Sequence, residues 1–253
     1  MSLTTGGADE GQSAYLIEAG GTSWYFQDAA GGFSSLLDST GNDWISYSTA
    51  PGATGEYRGI PNAVYPAGHF HPGRTNAVST IVVDGPLRAV VETSTMDGNW
   101  TERWEFLPTS ARMTMVHAPA SYWFLYEGTP GGAIDSTDRV VRAAGDDPIG
   151  GLWSTDLAAP EWTAVTDAAA GRSLLLASLQ DDTSIDSYRL MENAMTVFGF
   201  GRNNTTPLLT GQRQFVVRFL ETTDTNVLRA TAPGVAQPIV TTTAAGDERP
   251  AEG

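Results

Sequence analysis

Apolar and polar residues alternate over short runs along the chain, and Gly, Asp, Asn and Pro cut the runs apart. A period of two belongs to half-buried β-strands. Runs at 13–19, 22–28, 33–38, 43–48, 78–84, 87–95, 100–107, 111–118, 121–127, 138–143, 150–155, 161–166, 172–179, 184–190, 194–201 and 213–221 predict sixteen strands. Ala-Gly-Gly-Thr at 19–22, Ala-Gly-Gly at 30–32, Asp-Gly-Pro at 84–86 and Asp-Gly-Asn at 97–99 are hairpin signals between them. The best helical candidate is one short piece, 224–231. Evenly spaced strands predict an all-β fold. Sixteen exceed a compact eight-stranded jelly roll, which is kept as the alternative, and favour a large antiparallel β-sandwich of two sheets. One domain is expected over 10–232. From 233 to 253 the chain is mostly Thr, Ala, Pro, Gly and acid, which predicts a flexible tail.

Composition narrows the function classes. The 253 residues contain no cysteine, which removes thiol catalysis, disulfides and thiolate metal sites. Acidic residues number 29 against 14 basic ones, for a net charge of −15. All the basic residues are arginine. Such a surface repels phosphate backbones and anionic lipid, so no nucleic-acid or membrane partner is expected. No apolar run is long enough to span a bilayer. The opening Met1-Ser2-Leu3 has no basic or apolar leader character and reads as appended. That is compatible with a secreted or periplasmic protein whose leader has been removed.

The richest chemistry lies at 54–74, Thr-Gly-Glu-Tyr-Arg-Gly-Ile-Pro-Asn-Ala-Val-Tyr-Pro-Ala-Gly-His-Phe-His-Pro-Gly-Arg. A long irregular stretch within a β-rich chain is more often functional than connecting. On an extended backbone His69 and His71 would face one side. They suit either acid–base work or, with a third ligand from His117, Glu56, Glu127 or Asp135, a divalent metal. The cupin His-x-His pattern continues with a Glu, whereas Pro-Gly-Arg follows here. Arg58 offers a planar fork to a carboxylate and Asn62 a neutral donor beside it, as a uronate would require. Glu56 or Asp43 would be the internal partner if Arg58 is structural.

Aromatic residues form two further groups. In 121–127, Tyr122, Phe124 and Tyr126 share one face and Trp123, Leu125 and Glu127 the other, so a central strand buried on both sides is expected. Glu127 would leave that strand at its end, where burial raises a carboxyl pKa. In 100–107, Trp100, Glu102, Trp104 and Phe106 share a side, either as core or as indole platforms for sugar rings flanking a carboxylate. Arg202, in Phe-Gly-Phe-Gly-Arg-Asn-Asn, is a further candidate groove edge. The chain lacks a Gly-x-Ser-x-Gly elbow, a phosphate-binding Gly-Lys loop and His-Glu-x-x-His, which argues against hydride and phosphoryl transfer.

The run Gly-Gly-Phe-Ser-Ser-Leu-Leu-Asp-Ser-Thr-Gly-Asn-Asp-Trp-Ile-Ser-Tyr at 31–47 resembles the opening hairpin of galactose-mutarotase-like supersandwich proteins. Arg-Gly-x-x-Asn at 58–62, the histidine pair and the Trp-rich hairpin at 100–107 are similar to that group as well. The superfamily contains aldose epimerases, glycoside-hydrolase domains and polysaccharide lyases, so the resemblance implies a sugar without choosing a reaction. Epimerases of this kind use a histidine acid and a glutamate base, matched here only by the 69–71 pair and Glu127.

The expectation is a saccharide groove on one sheet, roofed by 54–74 and 127–135, with no cofactor. A polysaccharide lyase acting by β-elimination beside a uronate would use Arg58 and Asn62 on the carboxylate. His71 or His69 would be the base and Tyr57 the acid. A glycoside hydrolase would pair Glu127 with Glu56 or Glu102. Two rivals remain: a non-catalytic carbohydrate-binding protein using Trp100, Trp104 and Trp123, and a metal-dependent cupin-like protein using His69, His71 and His117.

Overall fold

A computed structural model describes residues 1–50 and 57–236, and the backbone of 249–250. The chain is an antiparallel β-sandwich. One layer is a ten-stranded sheet. Its order runs Gly145–Pro148, Arg139–Arg142, Trp162–Asp167, Arg172–Ser178, Arg213–Leu220, Ser110–His117, Thr101–Leu107, Ala89–Thr95, Ala77–Asp84 and Arg249–Pro250. The other layer contains two four-stranded sheets. The first holds Ser2–Asp9, Gln12–Ala19, Thr22–Gln27 and Gly32–Leu37; the second, which carries the site, holds Leu152–Thr155, Asp186–Met191, Met195–Phe200 and Phe124–Gly128.

Aromatic rings join the layers. Phe33 meets Trp104 with centroids 4.7 Å apart, and Phe124 stacks on Phe215 at 4.6 Å. Each such ring removes a large apolar area from water, which is what two sheets packed face to face need. Helix Thr225–Val235, capped by the Asp224 carboxylate accepting from the Asn226 N–H, buries Leu228, Ala232 and Val235 against the outer face of the large sheet. It runs further than the expected 224–231. Of the expected tail, 233–236 closes this helix, and 237–248 and 251–253 lie outside the described residues.

Every predicted run but one holds a strand, while Ser2–Asp9 and Gly145–Pro148 are strands outside the predicted runs. The run 43–48 buries Trp44, Ile45 and Tyr47 but forms no strand. The Asp43 carboxylate accepts from the backbone N–H groups of both Leu36 and Ile45, and Ser46 takes a left-handed φ of 52°. A side chain has thereby replaced the ladder partner. The strand Ser2–Asp9 falls before residue 10 and is largely exposed, so it lacks the apolar alternation that marks a strand.

The two smaller sheets are joined by residues expected to form a loop. Phe33 N–H donates to Ile60 O at 2.7 Å, while Leu125 N–H donates to Pro61 O at 2.7 Å and Trp123 N–H to Ala63 O at 3.1 Å. Gly59 and Glu127 exchange both backbone bonds, at 2.8 and 3.0 Å. Residues 59–63 thus act as an added edge of the site sheet, a wall instead of a roof. Pro61 fits because its missing N–H is not needed at that position. A Cβ on Gly59 would lie 2.5 Å from Pro72 Cγ, so only glycine admits the Pro72 ring here.

Gly59→Ala is expected to lower the unfolding free energy by about 2 kcal/mol. Gly150→Ala, where nothing stands within 4 Å of the added carbon, should stay within about 0.5 kcal/mol of the parent. Urea denaturation of the two variants measures the contrast.

Candidate functional site

Glu127 is held by its backbone before its side chain does anything. Val197 pairs with it on one edge and Gly59 on the other. Its carboxylate projects into a cleft of about 190 Å³ and is itself buried. Asn62 takes a left-handed φ of 43°, which Asn tolerates, and its Nδ2 donates to Glu127 Oε2 at 2.7 Å. His71 Nε2 stands 3.8 Å from the same oxygen. The other ring nitrogen, Nδ1, lies 2.6 Å from Pro72 O. A carbonyl only accepts, so Nδ1 carries the proton and Nε2 faces Glu127. The residues brought together are therefore a carboxylate, an imidazole and an amide, converging on one oxygen.

The cleft walls are aromatic and cationic. Trp123 stacks on Tyr65 with centroids 5.5 Å apart, and its Nε1–H donates to Asn62 O at 2.6 Å. Tyr57 and Tyr65 are 48% and 51% exposed, so their faces, and not a buried indole, are open to a ligand. Arg74, Arg189 and Arg202 also line the cleft, with the Arg202 guanidinium 5.8 Å over the Trp123 ring. Burial foremost, with the neighbouring Arg189 charge, lowers the Arg202 pKa to about 10, while Glu127 opposes the shift. Asn204 and Thr205 complete the far wall.

Several expected site residues lie elsewhere. Arg58 turns its guanidinium away from the cleft, donating to Ser46 O and Ala194 O, each at 2.8 Å. His69 and His71 do not face one ligand. Phe70 between them adopts a left-handed φ of 57°, which breaks the extended alternation, and His69 is close enough to Asp97 to act on its charge. His117 is bound to Asn99 O at an exposed position. Among the described residues no group of three or more His, Asp or Glu side chains is placed to hold a metal. Glu56, one possible ligand, lies outside the described residues. Past Glu127, the 128–135 stretch packs toward Trp44 and Asp43 instead of roofing the groove.

Trp100, Glu102 and Trp104 are core residues. Trp104 packs on Phe33, Phe106 and Phe124, and Trp100 meets Tyr122 edge-on. The alternation at 100–107 was legible, but its buried side faces the opposite layer and not a groove. Glu102 is fully buried and, among the described residues, accepts only from Trp104 Nε1. Burial pushes its carboxyl well above the usual range, with the indole N–H pulling weakly the other way. Arg189 and Tyr65 were missed as site residues. Nothing local marks Arg189 within the strand Asp186–Met191, and only its neighbours across the cleft give it meaning.

No protein-family profile matches the sequence, and no curated protein sequence does. The fold has clear counterparts. The protein HI1317 superposes with a TM-score of 0.57 at 10% identity, covering 87% of this chain and 99% of that one. A galactose mutarotase-like protein from Clostridium acetobutylicum gives 0.52 at 9% identity, covering 86% and 97%. The galactosidase domain of an alpha-galactosidase-sucrose kinase gives 0.50 at 9%, covering 87% of this chain and 42% of that one. The chain is thus similar in fold to galactose-mutarotase-like proteins, as the 31–47 hairpin suggested.

Glu102 gives a pH signature separate from the cleft. Its folded pKa lies above the unfolded one, so its stability contribution is complete below about pH 4.5. The contribution declines as pH rises, because the unfolded chain releases that proton first. Glu102→Gln should therefore stabilise the protein more at about pH 8 than at about pH 4, read as a difference in denaturation midpoints.

Proposed function

We propose that the cleft binds a saccharide and that His71 and Glu127 move a proton on it. One observation carries this reading: Nε2 of His71 and Oε2 of Glu127 stand 3.8 Å apart at the bottom of a cleft edged by exposed tyrosines. A base and its charge partner at that spacing can both reach one substrate group. Tyrosine faces and a few fixed polar groups are the usual makings of a sugar site. The fold adds support, since proteins similar to it are named for galactose mutarotase and galactosidase.

The reaction that this set supports best is β-elimination on a uronate-containing glycan. His71 Nε2 takes the proton from the carbon bearing the carboxylate. The glycosidic carbon–oxygen bond one carbon away breaks, its electron pair leaves on oxygen, and a carbon–carbon double bond forms. Tyr57, whose hydroxyl-bearing ring lines the cleft, protonates the departing oxygen. Glu127 offsets the imidazolium charge and is itself aimed by Asn62. Two-carboxylate hydrolysis is less well served. Glu127 is the one carboxylate among the described cleft residues, and Glu102 is sealed in the core.

Acidic glycans incubated with the protein should show rising ultraviolet absorbance from an unsaturated uronide. His71→Ala and Glu127→Gln should each reduce that rate by about 100-fold or more, and Tyr57→Phe by about tenfold or more. Anomeric exchange seen by polarimetry, with no absorbance change, would reassign the pair to epimerisation. Saccharide binding that survives both His71→Ala and Glu127→Gln, with no turnover in the parent, would make the protein a binder.

A further inference from the structure

Several arginines in this chain pair closely with carboxylates. Arg88 meets Glu105, Arg103 meets Glu92, Arg172 meets Glu221 and Arg213 meets Asp182, at 2.6 to 2.8 Å. Arg189 and Arg202 do not. Arg202 is 6% exposed, yet its guanidinium makes no hydrogen bond among the described residues, and its Nε is buried without a partner. Arg189 has a single weak contact, Nη2 to Met191 Sδ at 3.7 Å, and its Nε is likewise buried and unpartnered. Burial of Arg202 beside the like charge of the half-buried Arg189 is unfavourable twice over, through desolvation and through repulsion. In a chain with 29 acidic residues, a carboxylate partner was readily available to folding.

A second depression, of about 150 Å³, adjoins the cleft and shares Arg189, Arg202 and Asn204 with it. Trp153 and Ser187 form part of its wall, and Trp153 Nε1 and Ser187 Oγ are also buried without hydrogen-bond partners. Unsatisfied buried polar atoms are rare in folded proteins and call for a specific cause. Others are scattered through the chain, Arg112 and Arg218 among them, but four line this one depression. Two of those, on Arg189 and Arg202, also face the cleft, and that clustering points to a group that arrives from outside. A buried guanidinium next to a half-buried one suits an oxyanion, with N–H donors for its oxygens.

We propose that Arg189 and Arg202 form a subsite for an anionic substituent, a carboxylate or a sulfate or phosphate ester, on a saccharide that extends from the Glu127 cleft into the second depression. The inference rests on the saccharide reading of the cleft. It supplies the cation that elimination beside a uronate needs, the role that Arg58 does not fill.

Titration calorimetry with ligand pairs differing only in charge tests this: a uronate oligosaccharide against its carboxyl-reduced counterpart, and sulfated or phosphorylated sugars against the parent sugars. Inorganic sulfate serves as a sugar-free probe. The charged member should bind about 10- to 100-fold tighter. Arg202→Gln and Arg189→Gln should each bring the ratio of charged to neutral affinity most of the way back toward one. The substituent with the largest preference identifies the anion's source. Equal affinity for both members of every pair in the parent protein overturns the subsite, and this comparison needs no variant to fold. Sulfate binding lost in Arg202→Gln, with no saccharide bound, keeps the subsite and removes the saccharide reading. Saccharides bound without charge preference do the reverse, and no binding by sulfate or any sugar removes both.

Discussion

The close seating of Pro72 against glycine backbone is the constraint on which the site depends. Added Cβ atoms on Gly59 and Gly32 would lie 2.5 Å and 2.9 Å from the Pro72 ring, so neither position has room for a side chain. Gly59 is at the same time the backbone partner of Glu127. One residue thus fixes the height of the carboxylate on its strand and admits the proline next to His71. The imidazole follows its neighbour, since its Nδ1–H is tied to the Pro72 carbonyl. A pair of side chains distant in sequence meets because two small backbone positions allow a ring to come close. Preorganisation of this kind fixes the imidazole and the carboxylate relative to each other before any ligand arrives.

Charge is distributed with the same economy. Over most of the surface, acid outnumbers base, and arginines are absorbed into ion pairs that are worth little individually. At the cleft the balance reverses, with Arg74, Arg189 and Arg202 around a single described carboxylate. A strongly acidic protein that keeps a local cationic wall repels polyanions everywhere else, so on the proposed reading an anionic ligand would be focused on one place. Buried carboxyls away from the cleft, Asp138, Glu161 and Asp186, are each raised to about 7 by burial foremost. They lower stability as pH climbs, since their folded forms hold protons that the unfolded chain gives up.

Much of the fold was legible because period-two alternation is enforced wherever one face is buried. It failed at 43–48, where the Asp43 side chain replaced a strand partner, and at Ser2–Asp9, where an exposed edge needs no apolar face. The site was legible only in part. Density of titratable residues pointed to 54–74, whose His71, Asn62 and Tyr57 line the cleft together with Glu127 from the end of the 121–127 run. Arg58 and His69 misled because backbone conformation, set by tertiary pairing and the left-handed Phe70, decides where a side chain points. Trp100 and Trp104 misled for another reason: a strand pattern says that a face is buried, not what buries it. Arg189 had no signal of its own, because a lone charge in a strand acquires a role only from what lies across the cleft.

A crystal structure of the protein with an oligosaccharide of the best-binding class would test the central claim most directly. The account predicts a sugar ring against Tyr65 or Tyr57, with one of its groups within hydrogen-bonding distance of both His71 Nε2 and Glu127 Oε2. A sugar seated on another face of the sandwich, with those two side chains untouched, would contradict it.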